Sequence, residues 1–293
     1  MKRHVLVTGC SSGIGLAAAR LLAARDVHVY ATVRNDADAE RLAAIDGVVP
    51  LVCDVTDDAH VERMRLAIEE RGSGLWGVVN NAGVAHVGHL TNVPLQEMKD
   101  LFEINVFGVH RVTNAVMPMI LASGGRIVNI SSISGTGSSG EMGVYSMSKH
   151  ALEAYTDSLA TQLLEHGVHV CAVSPGNFES AIASNVVKRL ALPETASDRH
   201  RAMYEPGADT TRTEFPPPDA VAEACYAALF DDAPLRRYLV TPNAEEAHWT
   251  LKKAALELAQ LNGSSPYRLS PNELIALLDE VAELAKPASY TAG

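Results

Sequence analysis

Tyr145 and Lys149 stand four residues apart in Tyr145-Ser146-Met147-Ser148-Lys149, within a stretch of helical periodicity, so both fall on one face about a turn apart. That pairing suits proton chemistry. A phenol with a pKa of ~10 is a poor acid or base near neutrality, and an adjacent ammonium favours the phenolate and lowers that value. The same spacing occurs on many helix surfaces, so the pair gains meaning only from its company. Two hydroxyls, Ser131 and Ser132, end an apolar run, and Ser132 precedes Tyr145 by thirteen residues. At the carboxyl end of a strand, where doubly wound sheets bind ligands, either one is placed to hydrogen-bond a substrate oxygen. Asn105, in Glu103-Ile104-Asn105-Val106, breaks an apolar helical face. It is either bonded back to its own helix or used to pass protons.

A second constellation suits a phosphate. Thr8-Gly9-Cys10-Ser11-Ser12-Gly13-Ile14-Gly15 joins the first apolar run to the first helical stretch. Gly9, Gly13 and Gly15 let the backbone turn sharply and approach a pyrophosphate. The helix beginning near Ile14 offers free N–H groups and the positive end of its dipole, and Ser11 and Ser12 add hydroxyl donors. The second apolar run ends Ala31-Thr32-Val33-Arg34, with no carboxylate before Asp36. An acidic residue there would accept from a ribose 2′-hydroxyl, whereas Arg34 can pair with a 2′-phosphate. NADP(H) is therefore favoured, with NAD(H) left open; as a solvated loop charge, Arg34 would set no preference.

These groups need a scaffold that gathers strand ends. Residues 4–7, 27–33, 48–52, 77–80, 126–130 and 169–173 read as strands, and 14–25, 37–44, 58–71, 95–122 and 146–165 as helices. The alternation predicts an α/β fold, a doubly wound, Rossmann-like parallel sheet with right-handed crossovers. Residues 1–261 are expected to form a single dinucleotide-binding catalytic domain. Within it, 177–217 shows no clear strand and reads as a substrate lid. Phe178, Ile182, Val186, Val187 and Leu190 give that lid an apolar character, suited to a fairly apolar substrate. A helix over 219–230, a strand over 237–240 and a helix over 243–261 complete the domain. Residues 262–293 form a C-terminal helical extension, opened by a capping box in Ser270-Pro271-Asn272-Glu273. Its stripe of Leu274, Leu277, Leu278, Val281 and Leu284 is expected to pack within the chain rather than on a second subunit.

The 293 residues carry a formal charge of −11, which argues against a nucleic-acid binder because no excess of cations is available for phosphates. No apolar run approaches the ~18 residues of a membrane span. The basic start is followed only by Val5 to Val7 before Thr8-Gly9, too short for a signal-peptide core, so a cytoplasmic location is expected. The four cysteines form no CxxC pair and read as buried free thiols. His86 and His89 have no third ligand at recognisable spacing, so no metal site is expected. Glu141 reads as solvated.

In order and spacing over roughly residues 4–180, four motifs resemble the short-chain dehydrogenase/reductase family: the Gly-x3-Gly-x-Gly loop, Asn80-Asn81-Ala82-Gly83, Tyr145 to Lys149, and Pro175-Gly176. Thr8 to Gly13 and Tyr30 to Arg34 lean towards its 17β-hydroxysteroid and retinol dehydrogenase branch. The resemblance implies hydride transfer to or from a carbonyl carbon, with Tyr145 as proton donor, Lys149 as its activator and ribose contact, and Ser132 rather than Ser131 on the substrate oxygen. It implies that Asn105 positions a water linking Lys149 to solvent. It places Asp54 and Val55 near the adenine, Asn81 on the adenosine ribose with Ala82 and Gly83 beside it, and Pro175, Gly176, Phe178 and Ser180 around the nicotinamide. Ser180 stands where many relatives have Thr. The family implies a small carbonyl or alcohol substrate, and a homodimer or homotetramer built through residues 95–122 and 146–165. A different reading is a non-catalytic protein that senses NADP(H) on the same fold; it would be expected to have lost Tyr145 or Lys149. Sugar-nucleotide epimerase chemistry fits the glycine spacing poorly.

Overall fold

The computed structural model describes residues 3–180 and 215–285. Seven strands, β1 (His4–Val7), β2 (His28–Val33), β3 (Val48–Val52), β4 (Gly77–Asn80), β5 (Arg126–Ile130), β6 (His169–Pro175) and β7 (Arg237–Val240), form one sheet in the order β3-β2-β1-β4-β5-β6-β7. Every pairing is parallel. The chain winds outward from β1 to β3, then returns to place β4 on the other side of β1. Such a reversal leaves a crevice beyond the carboxyl ends of the two central strands, where α/β sheets bind ligands.

Nine α-helices cover the sheet and extend it: α1 (Gly13–Ala24), α2 (Asp36–Ala43), α3 (Asp58–Glu69), α4 (Leu95–Phe102), α5 (Gly108–Ser123), α6 (Gly143–Leu163), α7 (Asp219–Phe230), α8 (Ala244–Ser264) and α9 (Pro271–Leu284), counted over the described residues. Side chains alternate across a strand, so one apolar run feeds two cores. Val5 and Val7 of β1 join Ala18, Leu22, Val221 and Leu229 of α1 and α7 on one face. Leu6 joins Met64, Val116, Ile120 and Leu159 of α3, α5 and α6 on the other.

The structure departs from the sequence expectations at three helices. The stretch expected as one helix over 95–122 is broken by a π-helical turn, Glu103–Phe107, between α4 and α5. The extra residue in that turn rotates Asn105 inward. α6 begins at Gly143, earlier than expected, which places Tyr145 in its first turn. The expected capping box forms, with Ser270 N and Oγ both donating to Glu273 Oε2 at 2.7 Å. The apolar stripe of α9 is not buried as expected: Leu274 and Leu277 are half-covered, while Leu278 and Val281 are 52% and 41% exposed. Ile182, Val186, Val187, Leu190 and most of the expected lid lie outside the described residues. Among the described residues, no helix is long and apolar enough to cross a membrane.

Candidate active site

The glycine loop is shaped by what lies against it. Gly9 adopts φ +72°, and a Cβ there would stand 2.8 Å from the Ala82 Cα. A Cβ on Gly15 would collide with Asn81 Nδ2 and the Gly9 carbonyl. Glycine is required because the segment after β4 is bolted to this loop. Asn81 Nδ2 donates to the carbonyls of Thr8 at 2.8 Å and Gly9 at 3.1 Å, while Asn81 N and Ala82 N both donate to Thr8 Oγ1 at 3.0 Å. Gly9 N donates to Thr32 Oγ1 at 3.2 Å, tying in β2. Thr8 and Thr32 stand in the sequence motifs without a role; the structure shows both as buried hydroxyls that tie the glycine loop to its neighbours.

Beyond the loop opens a cavity of about 450 Å³. Gly9, Ser11, Ser12, Gly13, Ile14, Arg34, Asp54, Val55, Asn81, Ala82, Gly83 and Ser180 line it, together with Thr32, Cys53, Thr56, Val84, Asp100, Glu103 and Ile104, which the sequence had not singled out. Gly15 is not among the lining residues; it serves packing. Ser12 occupies the N-cap of α1 without a side-chain cap bond, so no hydroxyl or carboxylate of this kind competes for the helix's first N–H groups. Arg34 is exposed at the rim and makes no ion pair among the described residues. Asp54 is fixed by Thr56, whose N and Oγ1 donate to its Oδ1 at 2.9 and 2.7 Å.

The residues expected to handle protons gather where β5, α6 and the π turn meet. Ser131 and Ser132 part company at the end of β5. Ser131 Oγ is buried without a hydrogen-bond partner, whereas Ser132 Oγ accepts from Ser134 N at 3.1 Å and caps the turn Ile133–Gly135. Lys149 is 6% exposed; its Nζ donates to the Ile130 carbonyl at 2.7 Å and stands 5.6 Å from the centre of the Tyr145 ring. Burial pushes the Lys149 ammonium down to about 8, against a weaker upward pull from Glu153.

Asn105 is bonded neither to its own helix nor left free. Its Oδ1 accepts from Val84 N at 2.9 Å, and its Nδ2 donates to the Val84 carbonyl at 2.9 Å and to Ser148 Oγ at 3.1 Å. Ser148 Oγ donates in turn to the Tyr145 carbonyl at 2.7 Å, a link the sequence reading missed. A Cβ on Gly83 would stand 3.3 Å from Asn105 Oδ1 and 3.9 Å from Lys149 Nζ, so the two groups approach each other across that glycine.

At the end of β6, Pro175 is buried and Gly176 N donates to the Val240 carbonyl at 2.7 Å. Phe178 is 4% exposed and belongs to the core beneath α1 and α7, so its ring is a packing element and not a cavity wall. Ser180 faces the glycine loop: a Cβ on Gly13 would lie 3.3 Å from the Ser180 Cβ. His86 Nε2 lies 3.0 Å from Glu97 Oε2, and Glu141, expected to be solvated, has His89 Nε2 4.0 Å from its Oε1. No group of three potential metal-ligating side chains occurs among the described residues. All four cysteines are buried free thiols; burial pushes Cys53, Cys171 and Cys225 up to about 12, and Cys10 up as well, which leaves none as a ready nucleophile.

Residues 3–191 match the family model described as short chain dehydrogenase. The uncharacterized oxidoreductase YbbO of Escherichia coli (strain K12) is 35% identical over 243 residues, 82% of this chain and 86% of that protein. The NADPH-dependent 3-dehydrocapnine reductase of Ornithobacterium rhinotracheale is 32% identical over 253 residues, 82% of this chain and 88% of its own. Among solved structures, a short-chain dehydrogenase from Streptomyces avermitilis matches with a TM-score of 0.75 and 28% identity, covering 90% of this chain and 96% of that one. The chain belongs to the short-chain dehydrogenase family and is an NAD(P)-dependent dehydrogenase/reductase.

Proposed function

We propose that this protein transfers a hydride between NADP(H) and a ketone or secondary alcohol on a fairly apolar small molecule. The observation that carries the reading is the buried Lys149 ammonium, anchored on the Ile130 carbonyl beside Tyr145. The residues present fit a dinucleotide. The phosphate loop, the end of β2 and the segments after β3 and β4 line one open cavity, and the start of α1 lacks a side-chain cap, which leaves its N–H groups for a phosphate. Gly9, Ser11, Ser12, Gly13 and Ile14 would hold the pyrophosphate, and Asp54, Val55, Asn81, Ala82 and Gly83 the adenosine half. The exposed guanidinium of Arg34, which makes no ion pair among the described residues, supports a 2′-phosphate and hence NADP(H) over NAD(H). The 3-dehydrocapnine reductase, NADPH-dependent by its name, supports the same preference.

When bound, the nicotinamide supplies or accepts the hydride at the carbonyl carbon. In the reducing direction the Tyr145 hydroxyl gives its proton to the carbonyl oxygen, while the Ser132 hydroxyl hydrogen-bonds the same oxygen and stabilises its developing charge. The Lys149 ammonium favours the phenolate left behind and would bond the ribose hydroxyls. Asn105 holds Val84 and Ser148, and Ser148 holds the backbone of Tyr145, so the proton donor sits on a fixed support. Oxidation of an alcohol reverses each transfer.

Self-association through α4, α5 and α6 is supported by the exposed apolar side chains they and the π turn carry, Leu95, Phe107 and Leu121 among them. Four buried free thiols fit the reducing conditions of the cytoplasm. The deciding experiment is a panel of ketones, aldehydes, quinones and secondary alcohols assayed with NADPH/NADP⁺ and NADH/NAD⁺. Turnover of a hydrophobic ketone with NADPH is expected. Tight NADPH binding with no consumption across the panel would instead establish the non-catalytic sensing role.

A further inference from the structure

The loop after β6 is gripped from an unexpected side. Glu246, in the first turn of α8, reaches back to Asn177: its Oε2 accepts from Asn177 N at 2.8 Å and its Oε1 from Asn177 Nδ2 at 3.0 Å. The carboxylate presses so closely on the preceding residue that a Cβ on Gly176 would collide with Oε2 and stand 3.1 Å from Pro242 Cδ. The glutamate is itself held. Asn243 caps α8 by accepting from Glu246 N at 2.9 Å, and the buried Thr250 Oγ1 donates to the Glu246 carbonyl at 2.8 Å. One turn further on, Trp249 abuts the loop that follows Ser132, where a Cβ on Gly137 would stand 2.8 Å from its ring. The start of α8 therefore braces two loops that border the proton-handling groups, and one of them through a two-point carboxylate contact spanning 69 residues of sequence.

We propose that Glu246 is a positioning residue for the nicotinamide half of the cofactor: it holds the Pro175–Phe178 segment in the shape that receives that ring, and touches neither cofactor nor substrate. This rests on the reading of the cavity as an NADP(H) site. A charge-assisted pair of bonds to a backbone N–H and the side-chain amide of the same residue fixes both position and orientation of the loop, as the support behind a binding loop must if the loop is to be precise. The residues assigned to the adenosine half, Asp54, Val55, Asn81, Ala82 and Gly83, follow β3 and β4, whereas the Glu246 carboxylate is bonded to Asn177 after β6.

The test separates the two halves of the ligand. Titration of NADP⁺ and of adenosine 2′,5′-bisphosphate, which lacks the nicotinamide, is followed by calorimetry on wild type, Glu246→Ala, Glu246→Gln, Asn177→Asp and the double variant. Glu246→Ala is expected to weaken NADP⁺ about tenfold to a hundredfold while leaving the bisphosphate within about twofold. Glu246→Gln removes the charge from both bonds and obliges the Asn177 amide to turn over to keep the second, and Asn177→Asp opposes two carboxylates, so each weakens NADP⁺ alone, the second more. Combined, they restore both bonds with the side-chain polarity reversed: the amide introduced on α8 donates to the carboxylate introduced in the loop, and its carbonyl oxygen accepts from the loop's backbone N–H. Recovery of NADP⁺ affinity in the double variant is expected. Equal losses for both ligands, or no recovery in the double variant, overturn the positioning role. A wild type that binds neither ligand overturns the cofactor-site reading and this inference with it, whereas a wild type that binds both while Glu246→Ala behaves identically overturns the inference alone.

Discussion

Burying an ammonium where only a carbonyl meets it is expensive, and Lys149 shows the expense: its pKa falls from 10.5 to about 8 because desolvation outweighs the distant Glu153 carboxylate. The burden on folding at neutral pH is on the order of 3 kcal/mol. Below about 8 the lysine is charged both folded and unfolded, so the burden is fully present. Between about 8 and 10.5 the unfolded chain keeps a proton that the folded chain has released, so wild-type stability rises with pH across that window. Lys149→Met is therefore expected to be inactive yet more stable at pH 7 by about 1–3 kcal/mol, with the gain vanishing towards pH 10 in urea-unfolding series. The same ammonium sets an activity limb. In the reducing direction, kcat/KM should fall above pH ~8, since the free enzyme then loses the charge that favours the Tyr145 phenolate. Arg34 makes the complementary case, a charge that costs little because it stays exposed. Arg34→Ala is expected to raise the KM for NADPH about tenfold to a hundredfold and to leave that for NADH nearly unchanged, by steady-state kinetics with both cofactors. Equal effects on the two would remove the 2′-phosphate from the account.

At the scale of elements, the π turn Glu103–Phe107 explains why an asparagine sits in the middle of a long apolar crossover. A regular helix would have left Asn105 bonded along its own axis; the extra residue aims it at Val84, where it satisfies both backbone groups of a loop that has no strand partner there. π insertions tend to mark functional sites, and this one supports the proton-handling groups. Asn105→Ala should strand Val84 N–H and C=O, lowering stability by about 2 kcal/mol or more and kcat with it, whereas Ser131→Ala should leave kcat nearly intact. Strand positions were readable from β-branched runs, and the glycine loop from its spacing. The break in the helix was not, because Leu95 to Ala122 keeps a periodic apolar face on either side and a one-residue insertion alters the direction of Asn105 more than the pattern. The burial of the Phe178 ring was illegible for a similar reason. The resemblance set Phe178 beside the nicotinamide, and only the fold shows its ring packed in the core with residues of α1 and α7. Glu246 left no trace at all, since its partner lies 69 residues away.

Across the whole molecule, the division of labour follows the order of the sheet. β1, β2 and β4 hold the phosphate loop, β5 and β6 carry the proposed reacting end, and α8 braces the loop after β6 from outside the region matched by the family model, which stops at residue 191. α9 is different in kind, for none of its described side chains is buried. Truncation after Ser264 is expected to change the Tm by no more than a few degrees at low protein concentration, while truncation before Ala244, which removes Glu246 and the buried Thr250, should collapse cofactor binding. The four cysteines are spread over the phosphate loop, the end of β3, β6 and α7, each shut away from solvent and reluctant to ionise. The chain thus carries its own set of clocks. Alkylation can proceed only when a region opens, so the labelling rate of each thiol reports the local opening of the part that hides it. Added NADP⁺ should slow the clocks at Cys53, which lines the cavity, and at Cys10, which sits within the phosphate loop, and leave the one at Cys225 running at its former rate.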